Sequence, residues 1–370
     1  MILNIYLHCN ENADVVCCAP TGQAARKLSE STGMETSTIH SALGLFSDEN
    51  VHQEPEQLEA DVILIDEMSM TDIFLFRHLL NSLGDLCQLI LVGDVDQLPS
   101  VGPGAVLREL IESGVIPVIR LDKVFRQDSD NLIALNAERI RNNVDELEYR
   151  EEDFHYIFSK HLDESADILV GLYMEEVARI GMDNVVLLSP FRVKTETGVN
   201  ALNERLHDIV NPHTPDKPEI AYMDRVFRQG DKMMQTKNKK GASNGDVGYI
   251  IQIRKRTDEA AILVDFGNGR VVEYDKSELD QLDYAFANTI HKSQGSEYKV
   301  VLINLQWAHR NMLSRQLVYT AITRAKEKVV IVGQKRAIKQ AINNKDTEKR
   351  NTLLAARLGA RESELLRVTG

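Results

Sequence analysis

Two adjacent acids follow an apolar run in the stretch DVILIDEMSM, residues 61–70. A buried strand that ends in Asp66 and Glu67 would offer one carboxylate to hold Mg²⁺ and a second to activate water, which is what nucleotide hydrolysis requires. An acidic pair at a strand end is also compatible with an ordinary solvated terminus, so the pair alone leaves both interpretations open.

A second apolar run, in LILVGDVDQLPSVGPG at residues 89–104, also ends in an acid. Here Asp94 is followed by Gln97 and a turn rich in proline and glycine. An amide side chain beside the acids could sense a γ-phosphate or position water. A rigid loop alone would not explain why both strands end in acids, so the two stretches together predict a metal–nucleotide site.

Two arginines could supply positive charge to such a site. Arg126 lies in DKVFRQ, and Arg324 lies in YTAITRAK. An arginine that reaches a γ-phosphate across an interface stabilises transition-state charge, an effect of about 10³–10⁵ in rate. Taken singly, each arginine is more often a surface salt-bridge partner, and only its context favours catalysis.

The elements that must position these residues alternate between strand-like and helix-like patterns. Apolar runs predict buried strands at 14–20, 61–66 and 87–94, and amphipathic stretches predict helices at 21–33 and 70–83. This alternation is typical of a parallel sheet covered by helices on both faces. Ligands bind at the carboxyl ends of such strands, where the polar residues fall.

The same pattern returns later in the chain. It predicts strands at 183–190, 298–305 and 328–333 and helices at 198–210 and 314–325. Between these halves, residues 225–283 consist of β-like runs separated by Gly, Asn and Asp, with FGNGR as a hairpin loop. We expect a small β-barrel inserted in the second α/β unit, followed by a charged, peripheral helical tail.

Composition restricts the class of protein. The 370 residues are 43% hydrophobic and 27% charged, with a net charge of −13, which argues against nonspecific binding to nucleic acid through bulk charge. Apolar runs stay well below the roughly 18 residues of a membrane span, and a secretory signal is not visible. The four cysteines show neither zinc-ligand nor disulfide spacing, so we expect a reduced, cytoplasmic protein without membrane contact.

The order of the motifs resembles that of superfamily 1 helicases, and most closely the RecD-like branch, the alpha subunit of exodeoxyribonuclease V and its stand-alone relatives. The resemblance rests on CAPTGQAARKLSESTGMETSTIHSALG, VILIDEMSM, LVGDVDQLPSVGPG, LDKVFRQ, ANTIHKSQGSEYKVV and LVYTAITRAKEKVVIVG. It implies an α/β protein with two RecA-like parallel-sheet domains, at 1–119 and at 120–224 with 284–340, an inserted SH3-like β-barrel at 225–283, and a helical tail at 341–370.

The resemblance also implies roles for individual residues. Asp66 would bind Mg²⁺, Glu67 would polarise water, and Gln97 would couple the γ-phosphate of ATP to the DNA track. Arg126 and Arg324 would be contributed to the nucleotide by the second domain, and Gly295 and Glu297 would approach the sugar. The residues implied to touch the DNA backbone are Thr21, Gly22, Thr38, His40, Thr289, His291 and Lys292. The TIH tripeptide occurs at both His40 and His291, which supports the assignment of these two regions to DNA, although a lone histidine is usually an ordinary polar surface residue.

The phosphate loop of this family, GxxxxGK[ST], is not found, because the chain contains no Gly-Lys pair. Residues 1–13 instead resemble the helix that follows such a loop, so we expect a fragment or a shortened form with impaired ATP binding. We predict an ATP-dependent DNA helicase or translocase, 5′→3′ by resemblance, that acts on single-stranded DNA in repair and recombination, with other subunits of a nuclease complex as further partners. The alternative is a single-stranded DNA-binding or partner-binding module without turnover.

Overall fold

The computed structural model describes residues 2–45, 54–121, 131–193, 195–255, 260–344, 350 and 352–369. The chain divides into two compact units. Unit 1 is Met1–Arg126 with Lys345–Gly370, and unit 2 is Gln127–Asn344.

Unit 1 is built on a parallel sheet, as predicted. Its strands are β1 (Val15–Ala19), β2 (Thr36–Thr38), β3 (Val62–Ile65) and β4 (Gln88–Leu91), in the spatial order β2-β1-β3-β4. Helices α1 (Ile2–Cys9), α2 (Gly22–Thr32), α3 (Ile39–Ala42), α4 (Ile73–Asn81) and α5 (Val106–Glu112) accompany it. All residues of β3 are buried, but β4 lies at the edge of the described sheet and is only partly covered, so the prediction of a buried strand there was wrong.

Unit 2 contains a second parallel sheet. Its strands are β5 (Phe154–Phe158), β6 (Val185–Ser189), β14 (Ala287–Thr289), β15 (Tyr298–Leu305) and β16 (Ala325–Gly333), in the order β14-β6-β15-β16-β5. The helices are α6 (Leu132–Arg141), α7 (Leu162–Ile180), α8 (Val199–Val210), α9 (Arg315–Ile322) and α10 (Lys335–Asn343). The strands and helices predicted from residue 183 to residue 333 are confirmed.

An antiparallel insertion separates β6 and α8 from β14. Its strands are β7 (Glu219–Tyr222), β8 (Arg225–Arg228), β9 (Lys232–Gln235), β10 (Val247–Lys255), β11 (Ala260–Asp265), β12 (Val271–Tyr274) and β13 (Leu282–Tyr284). Strands β7 and β8 form a hairpin, and the others form one sheet in the order β12-β11-β10-β9-β13. The predicted hairpin loop FGNGR joins β11 to β12, which pair antiparallel.

The insertion and the parallel sheet of unit 2 share one hydrophobic core. Leu187 and Val300 of the parallel sheet belong to the same buried cluster as Ile250 and Ile262 of the insertion. Burial of apolar surface is the main favourable term in folding, so this shared core fixes the insertion against the sheet. The junction between them is therefore a defined surface.

The C-terminal residues return to unit 1. Helix α10 packs within unit 2, whereas α11 (Leu354–Thr369) packs on α5, with Leu354 and Leu358 against the core of unit 1. The stretch 341–370, predicted as one helical tail, is thus shared between the two units. Among the described residues, no helix is long and apolar enough to span a bilayer.

Candidate functional site

The acidic pair lies at the carboxyl edge of the unit 1 sheet. The Asp66 amide donates to the Cys18 carbonyl at 3.0 Å, and the Met68 amide donates to the Val92 carbonyl at 2.9 Å, so the neighbouring strand ends are linked directly. The Asp66 Oδ1 atom accepts from the Glu67 amide at 2.8 Å. Glu67 has φ 52° and ψ 38°, a left-handed conformation that is uncommon for a bulky residue and is concentrated at functional sites.

The second acidic strand end approaches the first because Gly93 lacks a side chain. A Cβ at Gly93 would lie 3.0 Å from the Met68 amide nitrogen, closer than ordinary packing allows. After it, the Asp94 Oδ1 atom accepts from the Asp96 amide at 2.9 Å, and the Gln97 amide donates to the Asp94 carbonyl at 3.3 Å. Gln97 therefore lies in a turn that begins at the same edge of the sheet as the acidic pair.

The loop after Gln97 is bound by an arginine that sequence analysis missed. The Nη1 atom of Arg350 donates to the carbonyls of Gly102 at 2.6 Å and Gly104 at 3.1 Å, and its Nη2 atom donates to the carbonyl of Ser100 at 2.6 Å. Burial lowers the pKa of Arg350 below its usual value. A loop containing Gly-Pro-Gly leaves carbonyls without regular partners, but the sequence does not indicate where their donor lies.

The same loop is packed against the start of α4. The Asp72 carboxylate caps that helix by accepting from two backbone amides at 2.9 Å. A Cβ at Gly102 would lie 2.1 Å from the Asp72 Oδ2 atom, so only glycine fits there. The loop is therefore fixed from two sides, by the cap of α4 and by Arg350.

The residues of unit 1 that were assigned to DNA lie along this edge as well. Thr21 caps α2 through its Oγ1 atom, and Gly22 is the first residue of that helix. Thr38 caps α3, on which His40 is exposed. Because β1 and β2 run parallel with Ala19 opposite Thr38, both helix starts lie at the carboxyl ends of their strands. Each threonine thus has a structural role that accounts for it without DNA.

In unit 2, the structure brings Arg324 next to the SQGSEY segment. Arg324 is 4% exposed, and its Nη1 atom donates to the Ser296 carbonyl at 3.2 Å. Ser296 lies between Gly295 and Glu297, and the Glu297 carboxylate pairs with Lys326 at 3.0 Å. These three predicted residues therefore form one local group.

The predicted DNA residues of unit 2 follow β14. Thr289 pairs with Ser189 across the parallel strands, and its Oγ1 atom accepts from the Lys292 amide at 3.2 Å. Burial lowers the pKa of His291, which favours the neutral imidazole, and burial also lowers the pKa of Lys292. The Lys292 ammonium faces the Asp283 carboxylate at 3.6 Å. Arg126, predicted as the second catalytic arginine, lies outside the described residues.

The carboxyl edge of unit 1 is compatible with the predicted magnesium ion. Asp66 is half-buried, and a carboxylate that accepts one hydrogen bond retains further lone pairs for a cation. Magnesium usually takes one or two protein carboxylates and completes its shell with water and phosphate oxygens. Within the described ranges there is no cluster of three or more potential metal-binding side chains.

Comparison with known proteins decides the family. An AAA domain model matches residues 5–155, an ATP-dependent RecD-like DNA helicase SH3 domain model matches 202–266, and a UvrD-like helicase C-terminal domain model matches 284–332. The ATP-dependent RecD2 DNA helicase of Deinococcus radiodurans is 34% identical over 360 residues, which cover 94% of this chain and 46% of that protein. The chain belongs to the RecD-like family of superfamily 1 helicases.

The RecBCD enzyme subunit RecD of Mycolicibacterium smegmatis is a second relative of this RecD-like chain, 28% identical over 364 residues that cover 89% of the chain and 63% of the relative. The chain thus spans about half to under two thirds of the length of these curated relatives.

Solved structures support the fold. The Bacteroides Pif1 helicase bound to single-stranded DNA superposes with a TM-score of 0.52 at 17% identity, covering 97% of this chain and 90% of that one. The Bacteroides Pif1 helicase with ADP-AlF3 and single-stranded DNA gives a TM-score of 0.51 at 18% identity, with 86% and 82% coverage. The predicted RecA-like architecture with an SH3-like insertion is confirmed.

Proposed function

We propose that the RecD-like chain carries the motor domains of an ATP-dependent DNA helicase or translocase. The observation that carries the proposal is the convergence of Asp66, Glu67 and the turn leading to Gln97 at one sheet edge. The RecD2 relative, whose name is ATP-dependent DNA helicase, supports the same activity.

Each residue of this edge has a chemical task in the proposal. The Asp66 carboxylate holds Mg²⁺, which neutralises phosphate charge when bound, and the Glu67 carboxylate accepts a proton from the attacking water. Gln97 couples the γ-phosphate of ATP to the DNA track. The loop that follows it is held by the capped start of α4 and by Arg350. Arg126 and Arg324 stabilise the charge that develops on the transferred phosphoryl group, while Gly295 and Glu297 lie along the nucleotide sugar.

The proposed substrate is the backbone of single-stranded DNA. Helix-start amides and hydroxyls bind phosphates without reading bases, which suits a protein that moves along any sequence. The residues proposed to contact the strand are Thr21, Gly22, Thr38, His40, Thr289, His291 and Lys292. We further propose that the protein moves along the strand from 5′ to 3′ and acts in the cytoplasm. It would associate there with other subunits of a repair or recombination nuclease.

We expect these 370 residues to bind ATP weakly, because they contain no Gly-Lys pair and therefore no GxxxxGK[ST] phosphate loop. Such a loop contributes several charge-assisted hydrogen bonds of roughly 1.5–3 kcal/mol each. Removing two or three of them costs about 5 kcal/mol, or roughly three to four decades in affinity.

The test is ATP hydrolysis at high protein concentration, with and without single-stranded DNA, in parallel with DNA binding. Glu67→Gln is the diagnostic variant, and Glu59→Gln, an exposed acid before β3, is its matched control. DNA binding with negligible turnover is the expected result. Turnover that single-stranded DNA stimulates and that only Glu67→Gln abolishes would establish the motor and contradict the expected weak ATP binding. Absence of both binding and turnover would refute the proposal.

The second candidate is a module that binds single-stranded DNA or a partner without turnover. It is favoured by the two TIH tripeptides, at 38–40 and 289–291, together with a sequence that contains no Gly-Lys pair. DNA binding that weakens steeply with salt and does not change at any ATP concentration would identify this module, whereas the weak ATP site of the motor should alter DNA binding once ATP is high enough to fill it.

A further inference from the structure

A polar cleft lies where the antiparallel insertion meets the parallel sheet of unit 2. Its volume is about 240 Å³, and its walls include Arg192, Arg225, Asp283, Thr289 and Lys292. Arg192 follows β6, Arg225 begins β8, and Lys292 follows β14, so three separate segments bring positive charge to one place. Neither the motif pattern nor the comparisons assign a role to the two arginines.

The three cations converge on a single carboxylate. Arg192 Nη2 lies 2.7 Å from the Oδ2 atom of Asp283, and Lys292 Nζ lies 3.6 Å from the same oxygen. Arg225 Nη1 lies 3.2 Å from the Oδ1 atom. Asp283 lies on β13 with its side chain 23% exposed. Anions from solvent can therefore reach the three cations and compete with its carboxylate for them.

The Arg225 guanidinium is held in place by contacts that do not depend on Asp283. Arg225 also donates to the Leu282 carbonyl at 2.7 Å and lies over the ring of Phe227 at 5.5 Å. The segment that carries Arg192 is anchored where the Val199 amide donates to the Phe191 carbonyl at 2.9 Å. A binding site whose groups are already ordered loses less conformational entropy when a ligand arrives.

We propose that Arg192, Arg225 and Lys292 form a subsite for one phosphodiester of single-stranded DNA, which the Asp283 carboxylate occupies in the absence of DNA. A carboxylate and a phosphodiester both present two anionic oxygens to a guanidinium fork, so one can replace the other. The proposal rests on the proposed function, because Thr289 and Lys292 are already assigned there to the strand.

The charge of the cleft supports weak, replaceable binding. Glu204 and Asp224 line its exposed rim, so with Asp283 the described lining carries as many acids as bases. A phosphate in the cleft is bound by its hydrogen bonds to the three cations and not by a broad positive potential. Anions of the salt compete with the phosphate for these cations. Such a contact suits a protein that must release the strand at each step.

The test is fluorescence anisotropy of a fluorescein-labelled oligo-dT titrated with the chain at several salt concentrations. For Arg225→Ala we expect a Kd about fivefold to tenfold higher, with the slope of log Kd against log salt smaller by about 0.7, the value for one phosphate on a single strand. For Asp283→Asn we expect tighter binding, by roughly threefold to tenfold, because the competing anion is gone. In the double variant, the gain from Asp283→Asn should shrink.

The matched control is Arg205→Ala. Arg205 is on α8, where it pairs with exposed Asp167, and it does not line the cleft. Its loss should leave Kd unchanged, with circular dichroism confirming that each variant folds. Equal effects of Arg225→Ala and Arg205→Ala, or weaker binding by Asp283→Asn, would overturn the subsite. If the unmodified chain fails to bind oligo-dT, the proposed function fails with it, whereas binding that is insensitive to Arg225 refutes the subsite alone.

Discussion

Replacing Arg350 by alanine tests whether the C-terminal segment fixes the loop after Gln97. The guanidinium donates to three backbone carbonyls at 2.6, 2.6 and 3.1 Å. A hydrogen bond from a charged donor contributes about 1.5–3 kcal/mol when buried, and less where water can replace it. Because Arg350 is only partly buried, we expect the free energy of unfolding of the variant to fall by about 2–4 kcal/mol in total.

The expected loss should appear in unit 1. For a unit of this size it corresponds to a fall in Tm of about 5–15 °C. The local readout is hydrogen exchange, in which the amides of residues 97–104 should lose protection before the rest of the unit. Arg350→Lys should recover only part of the loss, because an ammonium cannot reproduce the planar fork that reaches the carbonyls.

Arg357→Ala is the control, since Arg357 is an exposed residue of α11 and alanine favours the helix. This substitution should leave both readouts unchanged. A stability of Arg350→Ala within about 0.5 kcal/mol of the unmodified chain, together with unchanged exchange in the loop, would show that Arg350 does not hold it.

Two further outcomes follow from packing and ionisation. Gly93→Ala places a methyl 2.8 Å from the Leu107 side chain and 3.0 Å from a backbone nitrogen, so we expect a loss of about 1–3 kcal/mol in urea unfolding; an unchanged midpoint would contradict the tight approach. Burial lowers the pKa of His309 to about 4, below the ordinary value of 6.5. The unfolded chain then binds more protons between these values, so stability should be full above pH 6.5 and decline as pH falls towards 4. His309→Phe should remove that part of the pH dependence, and an identical pH profile in the variant would refute it.

The strands and helices were predictable because each is encoded locally. An apolar run such as 61–66 can be recognised from its own residues, and the structure places β3 at Val62–Ile65. The start of α4 was set less well, at 70 instead of Ile73, although Asp72, which caps the helix, is itself a local signal of a helix start. Exposure of β4 depends on its edge position, which the residues of the strand do not encode.

The contacts that complete the candidate sites were not predictable in this way. Arg350 lies about 250 positions from the loop that it binds, and Arg192 and Asp283 are separated by 91 positions. Such pairs form only once the units have folded, and a single sequence does not reveal them. The acidic pair was recognisable because Asp66 and Glu67 directly follow the apolar run of their strand in the sequence.

The return of α11 to unit 1 has a consequence for synthesis on the ribosome. Unit 1 begins to emerge first, but Leu354 and Leu358, which cover its core, are translated only after the whole of unit 2. During that interval the apolar face of α5 is uncovered, and such surfaces promote aggregation or chaperone binding. A stop codon introduced after Asn344 would therefore leave unit 2 whole while depriving unit 1 of part of its core.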